Sequence, residues 1–369
     1  ISLWKKQGLF DGKVAVLVVS CYKKALVMGK RIVYVGFTFP HHKNTHAGYQ
    51  HIADYLPYDN YVDCQSFYEK TEQPYCEVSW IVKFKRRVFN RLFGFNCFPW
   101  YILKIILLGL KYNNVVFHYI YGENTYFSWT RHFIRKGNKS VCTLHQPYDF
   151  FFTRKRYSNL VKHTDGIILV INIEVDKFKS LSKNKSVWFI PHVIATEFYK
   201  IDDNVIKERM LLTVGNWLRD YSFANRVYMK LLEEDKSMNI YVVTNSQSKK
   251  KLSKHDRIHI LSGIDDEELR KLYQRSSVLF LPLIRYTANN SLLEAGATGC
   301  NIVVSSDYPD NSYIPESLLT LTSMEEDKAI SGIVNTMTPT YNTEISRYVS
   351  RKYGWEYISQ QTLEILSSI

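Results

Sequence analysis

The sequence predicts an α/β protein of two doubly wound halves of similar size, set about a central cleft and followed by a C-terminal helix. Three observations predict it. Short apolar runs that read as buried parallel strands recur along the chain, with helical segments fitting between them. The stretch from Thr196 to Arg209 is polar and charged and breaks the alternation near its middle. A second alternating set then starts at Met210.

Residues 1–29 precede the first strand as an extension of unassigned role. Arg31-Ile-Val-Tyr-Val-Gly-Phe reads as the first parallel strand. The loop Pro40 to His46 follows, then Ala47-Gly48-Tyr49 and a helix ending near Leu56. Further strands are expected at Val115–Tyr119, Val141–Leu144, Ile167–Ile171 and Val187–Ile190, the last stopped by Pro191. The second set runs through Met210–Gly215, Ile240–Val243, Ile258–Leu261, Val278–Leu281, Ile302–Ser305 and Leu318–Leu321. Asp265-Asp266-Glu267-Glu268 ahead of Leu269 has capping-box spacing, so a helix starts there. The tail from Tyr353 is amphipathic and helical. The boundaries that follow are an extension over 1–29, an N-terminal domain over 30–195, a linker over 196–209, a C-terminal domain over 210–350 and a helix over 351–369.

The richest segment is Ser277 to Ser305. Its strand ends at Pro282, a polar loop follows, and Asn289-Asn290-Ser291 forms a first helical turn rich in capping side chains. Gly299 closes the helix and Ile302-Val303-Val304 begins the next strand. The loop thus lies at the carboxyl end of a strand, where open α/β sheets bind ligands. Free N–H groups and the positive end of the helix dipole form a phosphate site there. Glu294, a turn further in, could accept hydrogen bonds from two vicinal ribose hydroxyls. Phosphate at the tip and a diol behind it describe a sugar nucleotide.

With 369 residues, 46% hydrophobic and 22% charged, the chain has the composition of an ordinary globular protein. Aromatic residues reach 15%, with 27 Tyr, enough for stacking surfaces or sugar contacts. A net charge of +13 favours anionic partners: polyanions, anionic membranes or nucleotides. Six scattered cysteines without a Cys-x-x-Cys fit a reduced, cytosolic chain with no structural zinc. The longest apolar candidate for a membrane span, Trp100 to Leu110, is about half the needed length. His41, His42 and His46 lie close together, but without a neighbouring acid or cysteine they read as a solvated loop, and no metal is expected.

Val214-Gly215-Asn216-Trp217-Leu218-Arg219-Asp220, Ile258-His-Ile-Leu-Ser-Gly263 with the acidic helix start behind it, and Thr287-Ala-Asn-Asn-Ser-Leu-Leu-Glu294-Ala-Gly-Ala-Thr-Gly299 together resemble the GT-B retaining glycosyltransferases, the large group of bacterial mannosyl-, galactosyl- and glucosyltransferases. The resemblance spans Lys30 to the C-terminus and is strongest from Met210 to Asp310. It implies two Rossmann-like domains, with the C-terminal helix packing back toward the N-terminal one. It also implies a donor site formed by Gly215, Asn216, Arg219, Gly263, Tyr286, Thr287, Asn289, Asn290, Ser291 and Glu294, with Arg219 on the diphosphate. His46-Ala47-Gly48-Tyr49 resembles the loop that approaches the donor phosphates, through Gly48. Val141-Cys-Thr-Leu-His145 resembles the strand ending in a histidine near the reacting sugar. One departure stands out. The group places two glutamates eight residues apart; the second matches Glu294, and the first falls on Tyr286. Asn289 and Asn290 could serve there with amides.

Glycosyl transfer breaks the bond between anomeric carbon and phosphate, so positive charge and N–H donors are needed where the diphosphate departs. Arg219, with Arg226 or Lys230, and the helix at Asn289 fit that need without a metal or other cofactor. His145 reads either as a group that orients the sugar or handles a proton, or as a satisfied structural histidine. Tyr286 is a stacking partner or a loop aromatic. The basic, aromatic run Lys83–Phe95 has helical spacing and fits either an anionic membrane surface or packing within its own domain. Nucleic acid is not expected, because no recognition motif accompanies the charge.

The reading is a cytoplasmic enzyme, peripheral on the inner face of the membrane, that moves a hexose from a UDP- or GDP-sugar to a glycan or lipid-linked glycan in cell-surface polysaccharide synthesis. Two rivals are a catalytically inactive subunit of the same fold, supported by Tyr286, and a basic surface-binding protein.

Overall fold

A computed structural model describes residues 29–72, 80–93, 99–182, 186–285, 289–306 and 313–369. The chain divides into two compact units, and each is described by itself. Most of the expected extension over 1–29, with Tyr286 and Thr287, lies outside the described residues.

Unit 1 takes in the N-terminal half up to Ile190 except Asn44–Ala47, together with Ile358–Ile369. Its strands are β1 (Arg31–Gly36), β2 (Asn60–Asp63), β3 (Val115–Tyr119), β4 (Lys139–Leu144), β5 (Gly166–Leu169) and β6 (Ser186–Phe189), all parallel, in the order β2-β1-β3-β4-β5-β6. Parallel neighbours need crossovers, and these carry helices α1 (Ile52–Tyr55), α2 (Gln65–Glu72), α3 (Trp80–Phe93), α4 (Tyr101–Lys111), α5 (Gly122–Thr125), α6 (Lys155–His163) and α7 (Val175–Leu181). The central strands are buried on both faces, as continuous apolar runs require; every residue of β3 is buried. That includes His118, whose ring lies between the Tyr58 hydroxyl at 2.7 Å and the Thr143 hydroxyl at 2.9 Å. Burial pushes its pKa down to about 3, so the ring stays neutral.

Unit 2 holds β7 (Glu208–Val214), β8 (Asn239–Val243), β9 (Ile258–Leu261), β10 (Ser276–Pro282), β11 (Asn301–Ser305) and β12 (Thr320–Thr322) in the parallel order β12-β11-β10-β7-β8-β9. Read outward from β7, this is the strand order of the dinucleotide-binding fold. Its helices are α8 (Tyr221–Glu234), α9 (Ser246–Lys249), α10 (Asp266–Arg275), α11 (Asn290–Ala297), α12 (Glu326–Thr336) and α13 (Thr343–Tyr353). Alternation along the strands splits the core in two. Leu212, Leu279 and Leu281 pack on one side with Leu292 and Leu293 of α11 and Ile345 of α13. Leu211, Val278 and Phe280 pack on the other with Val227 and Leu231 of α8 and Ile333 of α12.

The last helix, α14 (Trp355–Ser368), starts in unit 2, and its residues from Ile358 onward belong to unit 1. Ile358, Leu363 and Leu366 are fully buried, and the backbone carbonyl of Ser367 accepts a hydrogen bond from Lys30 Nζ at 2.6 Å. The expected return of the C-terminal helix is therefore present.

Candidate functional site

In a doubly wound sheet the loops diverge where the strand order reverses, and the crevice they leave lies at the carboxyl ends of two adjacent strands. In unit 2 those strands are β7 and β10. The loop after β7 carries Gly215 to Arg219, and the segment after β10 leads to Asn289. An isolated antiparallel bridge, Arg219 to Leu283, ties the two loops, supported by Ile284 N–H donating to the Leu218 carbonyl at 3.0 Å.

Arg219 is the hub. One terminal nitrogen donates to Asn289 Oδ1 at 3.0 Å and to Ser291 Oγ at 3.1 Å, and the other donates to the Trp217 carbonyl at 2.8 Å. Asn289 caps α11, its side-chain oxygen accepting from Leu292 N–H. A guanidinium is thus held against the positive end of a helix dipole, a juxtaposition that an anion would relieve. Gly215 allows it: with φ of 106° it takes a conformation that side chains resist, and a Cβ there would lie 3.2 Å from Arg219 Nη2. Leu218 is also held left-handed, at φ 55°, between exposed Trp217 and Arg219.

Glu294 lies about one turn inside α11, roughly 4.5 Å along the axis from Ser291. It is buried, and Oε2 accepts a hydrogen bond from the Tyr273 hydroxyl at 2.9 Å. Burial pushes its pKa up to about 7, against the opposing hydrogen bond from Tyr273, and the nearby Asp266 carboxylate adds to the rise. Asn290 is the first helical residue, half-buried.

The other expected donor residues sit around this cluster. Asn216 Oδ1 accepts from the Thr244 hydroxyl and from Asn245 N–H, both at 2.7 Å, so its oxygen pins the β7 loop to the end of β8. Gly263 follows β9 at φ 69°, with open space where a Cβ would point. Since β9 lies two strands out from β7, about 10 Å away, Gly263 is not part of the Arg219 cluster. Arg226 and Lys230 do not reach it either; on exposed positions of α8 they pair with Glu326 at 2.5 and 2.8 Å.

Unit 1 assembles a second cluster at its own reversal point, between β1 and β3. His145 follows β4, and its N–H donates to Glu123 Oε1 at 3.1 Å, with the ring Nδ1 3.6 Å from the same oxygen. Rings of Tyr49 and Tyr121 pack against it at 5.2 and 4.9 Å. Gly48 precedes Tyr49 at φ 104°, where a Cβ would collide with the Gln50 side chain at 2.2 Å. The Tyr49 N–H then donates to the Tyr121 hydroxyl at 3.0 Å. Gly48 and His145, distant in sequence, thus belong to one buried arrangement. Glu123 carries no signal in the sequence, since it sits in α5 and its partner follows β4, 22 residues on.

His46 is not simply a solvated loop residue. Residues Asn44–Ala47 group with unit 2, where the His46 ring stacks on Phe198 at 3.7 Å and Nδ1 lies 3.0 Å from Asp266 Oδ2. Among the described residues no cluster of three His, Cys, Asp or Glu side chains could hold a metal ion, and no helix is long and apolar enough to cross a membrane.

No protein-family model matches the sequence, and no curated protein matches it. Solved structures match along nearly its whole length. HepE of Anabaena in complex with UDP superposes with a TM-score of 0.62 at 13% identity, covering 92% of this chain and 100% of that one. Sucrose-phosphate synthase of Thermosynechococcus elongatus gives 0.60 at 12% identity, covering 91% and 98%. A glycosyltransferase of Rickettsia africae gives 0.60 at 11% identity, covering 92% and 98%. Two six-stranded parallel sheets, each in doubly wound order, and full-length likeness to these structures show that the chain has the GT-B fold.

Proposed function

We propose that the protein is a glycosyltransferase that takes a hexose from a nucleoside-diphosphate sugar and passes it, with retention at the anomeric carbon, to a glycan or lipid-linked glycan. The observation that carries this reading is the Arg219 guanidinium held on Asn289 and Ser291 at the mouth of α11, with buried Glu294 a turn behind it. The likeness to HepE, solved with UDP-glucose and with UDP and glucose, supports the donor class.

In this reading the diphosphate lies against Arg219 and the free N–H groups of α11, and the ribose hydroxyls donate to Glu294. As the bond from the anomeric carbon to the phosphate oxygen breaks, the growing negative charge falls on donors already in place. No divalent cation is required for that role. His145, held by Glu123, orients the transferred sugar or takes the acceptor proton. The setting is cell-surface polysaccharide synthesis on the cytoplasmic side.

A panel of UDP- and GDP-sugars, scored for slow donor hydrolysis with and without a chelator, tests the reading. One donor is expected to turn over, to be insensitive to chelation, and to be lost in a folded Glu294→Ala protein. A folded variant with undiminished turnover overturns the role of Glu294. An inactive subunit, the rival that Tyr286 favours, would hydrolyse none of the panel.

A further inference from the structure

Helix α4 is apolar on both sides. Tyr101, Ile102, Ile105 and Gly109 are buried in unit 1. The opposite side presents Trp100, Leu103, Leu107 and Leu110, exposed by 67%, 45%, 67% and 48%. At 100° per residue those positions fall within a single stripe, joined by exposed Lys104 and Lys111. Helix α3, just upstream, repeats the pattern. Trp80, Ile81, Phe84 and Val88 occupy an arc of about 100° and are exposed, Trp80 by 74% and Phe84 by 59%. Lys83 and Arg87 border one edge of that arc and Lys85 the other.

The charge around these stripes has one sign. From Val78 to Gly122 the sequence has no Asp or Glu and has seven Lys or Arg. Ordinary surfaces intersperse both signs and rarely leave large side chains exposed side by side. A second copy of this chain is a poor occupant, because it would set like charges against each other. Nucleic acid would use the basic groups and gain nothing from eight exposed apolar side chains. An anionic bilayer uses both: acyl chains take the Trp, Leu and Phe, and headgroups pair with Lys and Arg. With 11 residues α4 is about 16 Å long, half a hydrocarbon core, so it lies in the interface plane instead of spanning.

We propose that the exposed stripes of α3 and α4 dock on an anionic lipid membrane, with the Trp100–Leu103–Leu107–Leu110 stripe as the apolar keel. This deepens the proposed function, on which it rests only for what the membrane carries, a lipid-linked acceptor.

The test is sedimentation of the full chain with vesicles, without nucleotide sugar. Vesicles mixed from phosphatidylglycerol and phosphatidylcholine should bind the protein at low salt. Phosphatidylcholine alone should bind it at least tenfold more weakly. Lys83→Gln/Lys85→Gln/Arg87→Gln should weaken partition about a hundredfold, each basic group near an anionic surface being worth about fivefold. Leu103→Glu/Leu107→Glu should abolish binding. Both variants should keep the parent melting temperature and UDP affinity. Wild-type binding by either folded variant, equal binding to neutral vesicles, or no binding to anionic ones overturns the proposal. Donor hydrolysis in vesicle-free solution is read separately, so an idle enzyme that still binds vesicles faults the catalytic reading, and an active one that binds none faults the docking surface.

Discussion

Arg219 and Asn289 are 70 residues apart in sequence, yet Nη2 of one lies 3.0 Å from Oδ1 of the other. The contact links the two loops that diverge from β7 and β10, so the reversal in strand order is also where charge is concentrated. Asn289 thereby does two things: it caps α11 and it aims the guanidinium.

Removing that guanidinium should therefore strike turnover more than folding. Arg219→Ala is expected to lower kcat for donor hydrolysis about a hundredfold, the usual loss for one preorganised donor to a developing negative charge. Arg219→Lys keeps a point charge but not the two-pronged geometry, and should recover only part. Steady-state kinetics on protein of unchanged melting temperature check both.

The burial of Glu294 makes a statement about stability. Its folded-state pKa, about 7, lies above the ordinary 4.5. The native state therefore holds a proton that the unfolded chain has released between those values, and stability falls as pH rises through that window. Glu294→Gln has no proton to lose. Its melting temperature should match wild type near pH 4.5 and exceed it above pH 7, by an amount corresponding to at most about 3 kcal/mol. Thermal melts across pH 4–8 decide it; parallel curves for the two proteins would contradict the burial argument.

Glu123 is expected to act through His145. Glu123→Gln keeps an oxygen for the His145 N–H but withdraws the carboxylate from the ring. The outcome should be a kcat lowered about tenfold to a hundredfold with donor KM nearly unchanged, a split that a merely structural residue would not give. Transfer kinetics at saturating acceptor make the comparison.

Two glycines separate backbone strain from site geometry. Gly263→Ala forces a left-handed alanine into open space and should cost about 1 kcal/mol while leaving the Arg219 contacts in place. Gly215→Ala meets the same resistance and also crowds Arg219, so donor affinity should drop as well. Denaturant titration and calorimetry with UDP distinguish the two effects.

Strands β7, β10 and β11 are legible because each is a mostly buried run between polar loops, and the cap at Asp265 because its acceptor lies three residues from its donor. Strand β2 has no signature in the sequence. Asn60-Tyr-Val-Asp lies at a sheet edge and buries only Val62, so no pattern distinguishes it from a loop. The hidden parts of the sites share one property: they depend on long-range pairs. Glu123 of α5 meets His145 beyond β4, and His46 meets Asp266 across 220 residues. Arg226 and Lys230 carry the charge a departing diphosphate needs, but on α8 they pair with Glu326.

The neutral ring of His118 has a consequence for acid. Unfolded histidine takes up a proton near pH 6.5, whereas this one resists until about pH 3. Acidification through that interval favours the opened form of unit 1, while in unit 2 the proton gained by Glu294 works the other way. Mild acid should thus loosen one half of the molecule as it tightens the other, and a differential scan at pH 5 and pH 7.5 would see their relative melting order move.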